Sequence, residues 1–205
     1  MKLFPLFVNL VGRRCLVVGA GLIAEAKISG LVDTGAQVLV VAPKATAKVR
    51  SWARSGKIDW RQRGFAPADL GGAFLVVAAA SSTQVHEQIF AEAQRRGVLC
   101  NIVDVPHLCD FYYPAVVRRG ALQIAISTTG QSPALAQRLR KELELQFGSE
   151  YEEWLKAIGE GRQRIRDKSL SAEKRKRLLH EMASEKAFER FRKRRRQLRA
   201  GHGKI

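Results

Sequence analysis

An α/β fold built on a Rossmann-like parallel sheet is the fold class the sequence predicts, and three observations predict it. Short apolar runs alternate with helical patterns through the first hundred residues. Those runs are apolar throughout instead of alternating with polar residues, as strands covered on both faces are. A glycine turn, Gly19-Ala-Gly21-Leu-Ile-Ala24, follows the first run and opens the first helix. Its position between strand and helix makes it a better dinucleotide signal than the bare motif.

In chain order, Cys15-Leu-Val-Val18 reads as the first strand, ended by glycines. Ala24 to Asp33 carries helical spacing, with Gly35 as a natural C-terminal cap. Gln37 to Val41 is a second buried strand, stopped by Pro43. Ala45 to Arg54 is an amphipathic helix through Val49 and Trp52. Lys57 to Arg61 and Phe74 to Ala79 read as a third and a fourth strand. Thr83 to Arg95 is a helix ending before Gly97, and Leu99 to Val103 is the fifth strand.

The pattern then changes. Tyr113 to Val117 and Leu122 to Ile126 flank Arg118-Arg-Gly120 and read as a hairpin. Ser127-Thr-Thr-Gly-Gln-Ser-Pro133 leads into a helix with Ser132 as N-cap and Pro133 at its first position. That helix runs through Leu135, Leu139, Leu143 and Phe147 to Gly148. One hairpin and one helix cannot enclose a core, so they must pack on the first domain or on a second subunit. From Ser149 onward the chain is helical signal rich in Lys, Arg and Glu, with Leu178, Met182, Phe188 and Phe191 at helical spacing between Ala172 and Arg199.

Composition narrows the function classes. With 205 residues and 46% apolar content the chain is globular, large enough for one sizeable core plus a smaller appendage. No run of about eighteen apolar residues exists to span a membrane. The start, Met1-Lys-Leu-Phe-Pro-Leu-Phe-Val8, lacks the length and cleavage site of a signal peptide, so a cytoplasmic protein is expected. Cys15, Cys100 and Cys109 show no paired spacing, and His86, His107, His180 and His202 form no ligand cluster, so no bound metal is expected. The net charge of +17 is uneven: from Arg162 onward there are 17 basic and 5 acidic residues. Such a tail either meets nucleic acid or an acidic partner, or is a solvated helix surface. The solvated face is the commoner case for a run like Arg192-Lys-Arg-Arg-Arg196.

The candidate chemistry sits in three places. In the glycine turn, Gly19 permits the tight reversal, Gly21 lets backbone approach a pyrophosphate, and small Ala24 allows helix and strand to pack closely. The N–H groups of Leu22 and Ile23 open the helix, where its positive end favours phosphate. The acidic residue that commonly holds the ribose about twenty positions later is absent. The second strand ends Val41-Ala-Pro43-Lys44, and Lys44 and Lys48 can accommodate a 2′-phosphate, which leaves NAD and NADP open. Asp104 follows the fifth strand at the sheet's carboxyl end, as a general base, a metal partner or a helix cap. Pro106 makes capping awkward, because no helical pattern follows at once. His107 is close enough in sequence to assist, although a lone loop histidine is more often a surface residue. Thr128, Thr129 and Ser132 precede a helix N-terminus and can cradle an anion, or simply cap the helix.

Four segments in order, Phe4-Pro-Leu-Phe7, Cys15-Leu-Val-Val-Gly-Ala-Gly21, Asn101-Ile-Val-Asp-Val-Pro106 and Ser127-Thr-Thr-Gly-Gln-Ser-Pro133, resemble precorrin-2 dehydrogenase, the amino-terminal bifunctional part of siroheme synthase. The similarity runs over about residues 1 to 147. The resemblance implies oxidation of precorrin-2 to sirohydrochlorin with NAD⁺ and, in several members, insertion of Fe²⁺ as a substrate. It implies a homodimer with an NAD-binding domain (1–112), a dimerisation domain (113–147) and a basic helical domain (148–205). It ties Asp104 to both activities and maps cofactor contacts to Leu22-Ile23 and Pro43-Lys44, while Thr128 and Ser132, in the loop that can cradle an anion, are the candidate substrate contacts. Thr128 stands where some members carry a phosphorylated serine. The methyltransferase domain fused in some members is not among these residues, so a separate source of precorrin-2 is expected. The rival class is a redox-sensing nucleotide-binding regulator that uses its basic tail on DNA, but no helix-turn-helix pattern precedes the glycine turn.

Overall fold

The computed structural model describes residues 2–201; His202 lies outside them. Contacts divide the chain into a unit from Phe4 to Tyr113 and a second that takes in the chain from Pro114. The first holds a five-stranded parallel sheet: β1 (Arg14–Val18), β2 (Gln37–Val41), β3 (Asp59–Arg61), β4 (Leu75–Ala78) and β5 (Leu99–Ile102), in the order β3-β2-β1-β4-β5. The central register pairs Val17 with Val40 and with Val77, so every inner strand is apolar on both faces.

Helices α1 (Leu22–Val32) and α2 (Ala47–Arg54) cover one face, and α3 (Thr83–Arg96) covers the other. Ala24, Ile28, Leu31 and Val49 pack with Cys15, Val17, Val40 and Val77 on the first face. Ile89 and Ala93 pack with Leu16, Val18, Val76 and Ile102 on the second. Each large side chain buried this way contributes roughly 1.5–3 kcal/mol. Val103 and Phe111 also pack against the first-face cluster.

Several boundaries differ from the sequence expectation. α1 begins at Leu22, two residues early, because Gly21 is already its N-cap. It ends at Val32 with Asp33 as cap; Gly35 adopts φ +77 farther on and is not the cap itself. The third strand starts at Asp59, not at Lys57. Gly97 does close α3 in the left-handed conformation, as expected.

A polar knot invisible in the sequence secures the β3 edge. Asp69, fully buried, sits in the short 3₁₀ turn Pro67–Leu70. Its carboxylate accepts from Arg61 at 2.9 Å, from Arg63 at 2.7 and 2.5 Å, and from the Ala66 backbone N–H at 2.9 Å. The Arg63 guanidinium above all, then the Ala66 N–H and Arg61, hold this carboxyl below its usual range against the opposing effect of burial.

The second unit pairs β6 (Ala115–Arg119) with β7 (Leu122–Ile126) through a two-residue turn at Gly120-Ala121, with Gly120 at φ +57. Arg119 reaches from β6 to the carbonyls of Glu144 (2.9 Å) and Phe147 (2.7 Å), at the end of α4 (Pro133–Gln146). A guanidinium there complements both the orphan carbonyls and the helix dipole. The tail forms α5 (Glu150–Arg166), α6 (Ala172–Met182) and α7 (Glu185–Gly201). The tail pattern is thus two helices, parted at Ala183-Ser184, where the Ser184 hydroxyl accepts from the Ala187 N–H. Tyr151 and Trp154 pack on Phe188 with ring centres 4.5 and 4.6 Å away. Among the described residues no helix is long and apolar enough to cross a membrane.

Asp69→Asn should lower stability by about 2 kcal/mol at pH 7, since it removes a buried charge partner of two arginines. The folded-state pKa lies below the unfolded one, so this stabilisation is complete above an unfolded-state value of about 3.9 and is lost as pH falls through the folded value. Denaturant midpoints of wild type and variant should therefore converge progressively below about pH 4. A gap that stays constant into strong acid contradicts the assignment.

Candidate active site

The reversal after β1 is built by two glycines with different duties. Gly19 has φ +106 and donates its N–H to the Val41 carbonyl at 2.9 Å. A Cβ there would meet the Ala79 carbonyl oxygen at 2.6 Å. A Cβ on Gly21, by contrast, would meet only open space. As N-cap of α1, Gly21 leaves the first helical N–H groups without a side-chain cap, whereas Thr46, Ser82, Ser132 and Ser171 cap α2, α3, α4 and α6 with hydroxyl oxygens. Uncapped donors at the positive end of a helix suit a pyrophosphate. Leu22 and Ile23, 80% and 56% exposed, stand at the same edge. The residues present therefore fit a dinucleotide.

The loop after β2 is tied to this turn. Thr46 donates its backbone N–H to the Ala20 carbonyl (3.1 Å) and its hydroxyl to Glu25 (2.7 Å). The Trp60 indole N–H reaches the Ala42 carbonyl at 3.0 Å. Pro43 and Lys44 are thereby held exposed beside the glycine turn. Lys48, weighed for a 2′-phosphate, instead lies 3.5 Å from the Glu25 carboxylate.

Asp104 leaves the end of β5 in the left-handed region, at φ +62, and is exposed. The Val103 N–H bonds to Ala78 and the Val105 N–H to Ile102, which pins the turn on both sides. The expectation that no helical turn follows is corrected: Pro106–Leu108 forms one turn of 3₁₀ helix, too short to leave a periodic signal. Its N-cap is Val105, so Asp104 does not cap it. His107 lies exposed in that turn. Asp110 is consumed by structure, accepting from the Cys100 N–H (2.9 Å) and from Gln94 (3.0 and 3.1 Å). Asn101, nearly buried, donates to the Phe111 carbonyl at 2.8 Å and so folds the loop back on β5. Burial pushes the Cys15 thiol up to about 11 and Cys100 up to about 12, which keeps both protonated. Among the described residues no group of three or more His, Cys, Asp and Glu is placed to hold a metal.

The third predicted region lies in the second unit. Thr128 accepts the Ser132 N–H (3.2 Å), Ser132 accepts the Leu135 N–H (3.2 Å), and Ser127 accepts the Thr129 N–H (3.1 Å). Thr129 has φ +54, costly for a β-branched residue. Among the described residues, Asp104 and Thr129 are the two non-glycines with positive φ, and both fall in segments the sequence singled out. Sequence reasoning missed Lys27 of α1, whose ammonium lies 3.7 Å from the centre of the Tyr113 ring. The available signal was a lysine adjoining the core-facing Ile28.

A parallel sheet in this order, with an uncapped glycine-initiated helix at the carboxyl end of its first strand, defines a dinucleotide-binding domain of Rossmann type. Residues 6–115 match the family described as putative NAD(P)-binding, and the chain belongs to that family. Residues 119–146 match the family described as sirohaem biosynthesis protein central. The chain is 40% identical over 144 residues to a siroheme synthase of Nitrosococcus oceani, covering 70% of this chain and 31% of that protein. It is 42% identical over 151 residues to a siroheme synthase of Pseudomonas fluorescens, covering 74% and 32%. It thus spans about a third of the length of these relatives and lines up with the amino-terminal part of siroheme synthase. A solved structure titled SirC, precorrin-2 dehydrogenase, superposes with a TM-score of 0.79 at 27% identity, covering 94% of this chain and 98% of that one.

The two glycines should separate on substitution. Gly19→Ala, strained by φ and by the Ala79 carbonyl, should cost about 2 kcal/mol or more of stability. Gly21→Asp should melt like wild type yet lose NAD⁺ binding in calorimetry, through bulk and negative charge beside the pyrophosphate position. Unchanged NAD⁺ affinity in folded Gly21→Asp would remove the glycine turn as the cofactor cradle.

Proposed function

We propose that this protein oxidises precorrin-2 to sirohydrochlorin in the cytoplasm with NAD⁺, and that Asp104 is the general base. The observation that carries the reading is Asp104 itself: a carboxylate at the carboxyl end of β5, fixed by its turn and free of any hydrogen bond among the described residues. Several other carboxylates of the first unit are spent: Asp69 on arginines, Asp110 on Cys100 and Gln94, and Glu25 on Thr46 and Lys48. Gly19 and Gly21 shape the cofactor cradle, Leu22 and Ile23 supply its N–H groups, and Pro43 and Lys44 border the ribose.

When bound, NAD⁺ accepts a hydride from the macrocycle. The substrate also loses one proton, which Asp104 takes, so two electrons and one proton leave as hydride and the second proton goes to the carboxylate. Fe²⁺ insertion releases two pyrrole protons, which the same carboxylate would take one at a time, passing the first to solvent before it accepts the second; the iron is substrate throughout. Thr128 and Ser132, with hydroxyl hydrogens still available to donate, are assigned to carboxylates of the substrate. The strongly basic chain favours a polycarboxylate at long range. A homodimer organised as 1–112, 113–147 and 148–205 completes the proposal.

The regulator reading finds no support. Arg192 and Arg195 of the basic run face Glu150 and Glu153 of α5, at 3.6 and 2.5 Å, as a packed and solvated helix surface does.

Asp104→Asn keeps the shape and removes the base. NAD⁺ affinity should persist while the oxidation rate falls about a hundredfold or more. With sirohydrochlorin supplied directly, Fe²⁺ insertion should fall with it; lost oxidation beside intact chelation would assign chelation to other groups. Near-normal oxidation would remove Asp104 as the base. In light scattering at micromolar concentration the protein should have twice the chain mass, in keeping with a closed two-fold pair. A folded monomer contradicts that part of the proposal.

A further inference from the structure

Lys27 lies on α1 between the buried positions Ala24 and Ile28. Helical side chains lean toward the helix N-terminus, so its stem carries the ammonium toward the carboxyl edge of the sheet. There Nζ rests 3.7 Å from the centre of the Tyr113 ring. That ring is fixed in turn against Phe111, with centres 5.8 Å apart, and Asn101 anchors Phe111 to β5. Tyr113 is 43% exposed overall, but burial of its hydroxyl pushes it up to about 12, so it stays neutral as a platform for a cation. Partial desolvation draws the Lys27 pKa down, and the charge of Asp104 draws it back up.

Lys27 and Asp104 are thus electrostatic neighbours that do not pair. Among the described residues no oxygen accepts a hydrogen bond from Lys27, none of the ion pairs joins it to Asp104, and nothing donates to the Asp104 carboxylate. Each is held by its own support, Lys27 by the aromatic ring and Asp104 by its left-handed turn. An ammonium has three donors, and a half-buried one without an acceptor is costly unless a ligand or water completes it. A carboxylate group is the natural complement, and a charge-assisted bond to it is among the stronger polar contacts.

We propose that Lys27 binds a carboxylate side chain of the tetrapyrrole substrate next to Asp104 and so sets the macrocycle's position relative to the base. This inference rests on the reading of the chain as a precorrin-2 dehydrogenase. It adds a binding residue on α1 to a site otherwise drawn from the loops after β1, β2 and β5.

The test compares Lys27→Met, Lys27→Arg and wild type in precorrin-2 oxidation, with NAD⁺ affinity measured in parallel. Lys27→Met should raise KM for precorrin-2 by about tenfold or more. Its NAD⁺ affinity should match wild type, and Lys27→Arg should restore much of the loss. Sirohydrochlorin binding, read by quenching of tryptophan fluorescence, should weaken in step. An unchanged KM in folded Lys27→Met overturns the inference while leaving the proposed activity standing. A lowered kcat at unchanged KM also overturns it, placing Lys27 behind Asp104 instead of on the substrate. If Lys27→Met fails to fold, Lys27→Gln takes its place with the same criteria. A wild-type protein that binds no tetrapyrrole removes the activity and the inference together.

Discussion

Gly19 is wedged between two strands at once: its N–H is held by Val41 at the end of β2, and its α-carbon lies against the Ala79 carbonyl at the end of β4. No side chain fits between, and the positive φ excludes one independently. This close approach brings the ends of β1, β2 and β4 together, and it directs α1 back across the sheet with its uncapped N–H groups at the carboxyl edge. The β2 loop is then fastened to the same turn through Thr46 and Ala20. The proposed cofactor cradle is therefore a consequence of strand packing, and a residue larger than glycine at position 19 would disturb three strands before it touched a ligand.

Acidic residues of the first unit divide by what surrounds them. Asp69 is buried and saturated with donors, so it is a structural charge whose ionisation helps hold β3 and the following loop. Asp110 and Glu25 are similarly committed, one to the returning loop and one to the α1–α2 junction. Asp104 is exposed, undonated and held by backbone geometry that a β-branched residue would resist. Chemistry needs a carboxylate free to gain a proton, and a structural role needs one that is not. The distribution of hydrogen bonds separates the two kinds without reference to any reaction.

Much of this was legible in the sequence because apolar runs and glycines carry it. Uninterrupted strands such as Cys15-Leu-Val-Val18 and Gln37 to Val41 announce burial on both faces, and the placement of Gly19 and Gly97 marks turns that only certain backbones make. Asp104 could be singled out because its position after a strand has chemical meaning in an open α/β sheet. What stayed hidden depends on contacts between residues remote in sequence. Arg61, Arg63 and Asp69 show no periodicity, and nothing in their spacing says that the carboxylate is buried. Lys27 and Tyr113 come from opposite ends of the first unit and meet only once Phe111 packs on the first-face core beside Tyr113. The break at Ala183-Ser184 escaped because the apolar spacing continues across it, while the cap that starts α7 is a single hydroxyl.

The most direct measurement is anaerobic incubation of the wild-type protein with precorrin-2, followed by absorbance with and without NAD⁺. The sirohydrochlorin spectrum should appear only when NAD⁺ is present, with one equivalent of NADH formed for each macrocycle oxidised. Tight NAD⁺ binding without any conversion of precorrin-2 would contradict the proposed activity, leaving a dinucleotide-binding fold whose exposed carboxylate serves some other chemistry.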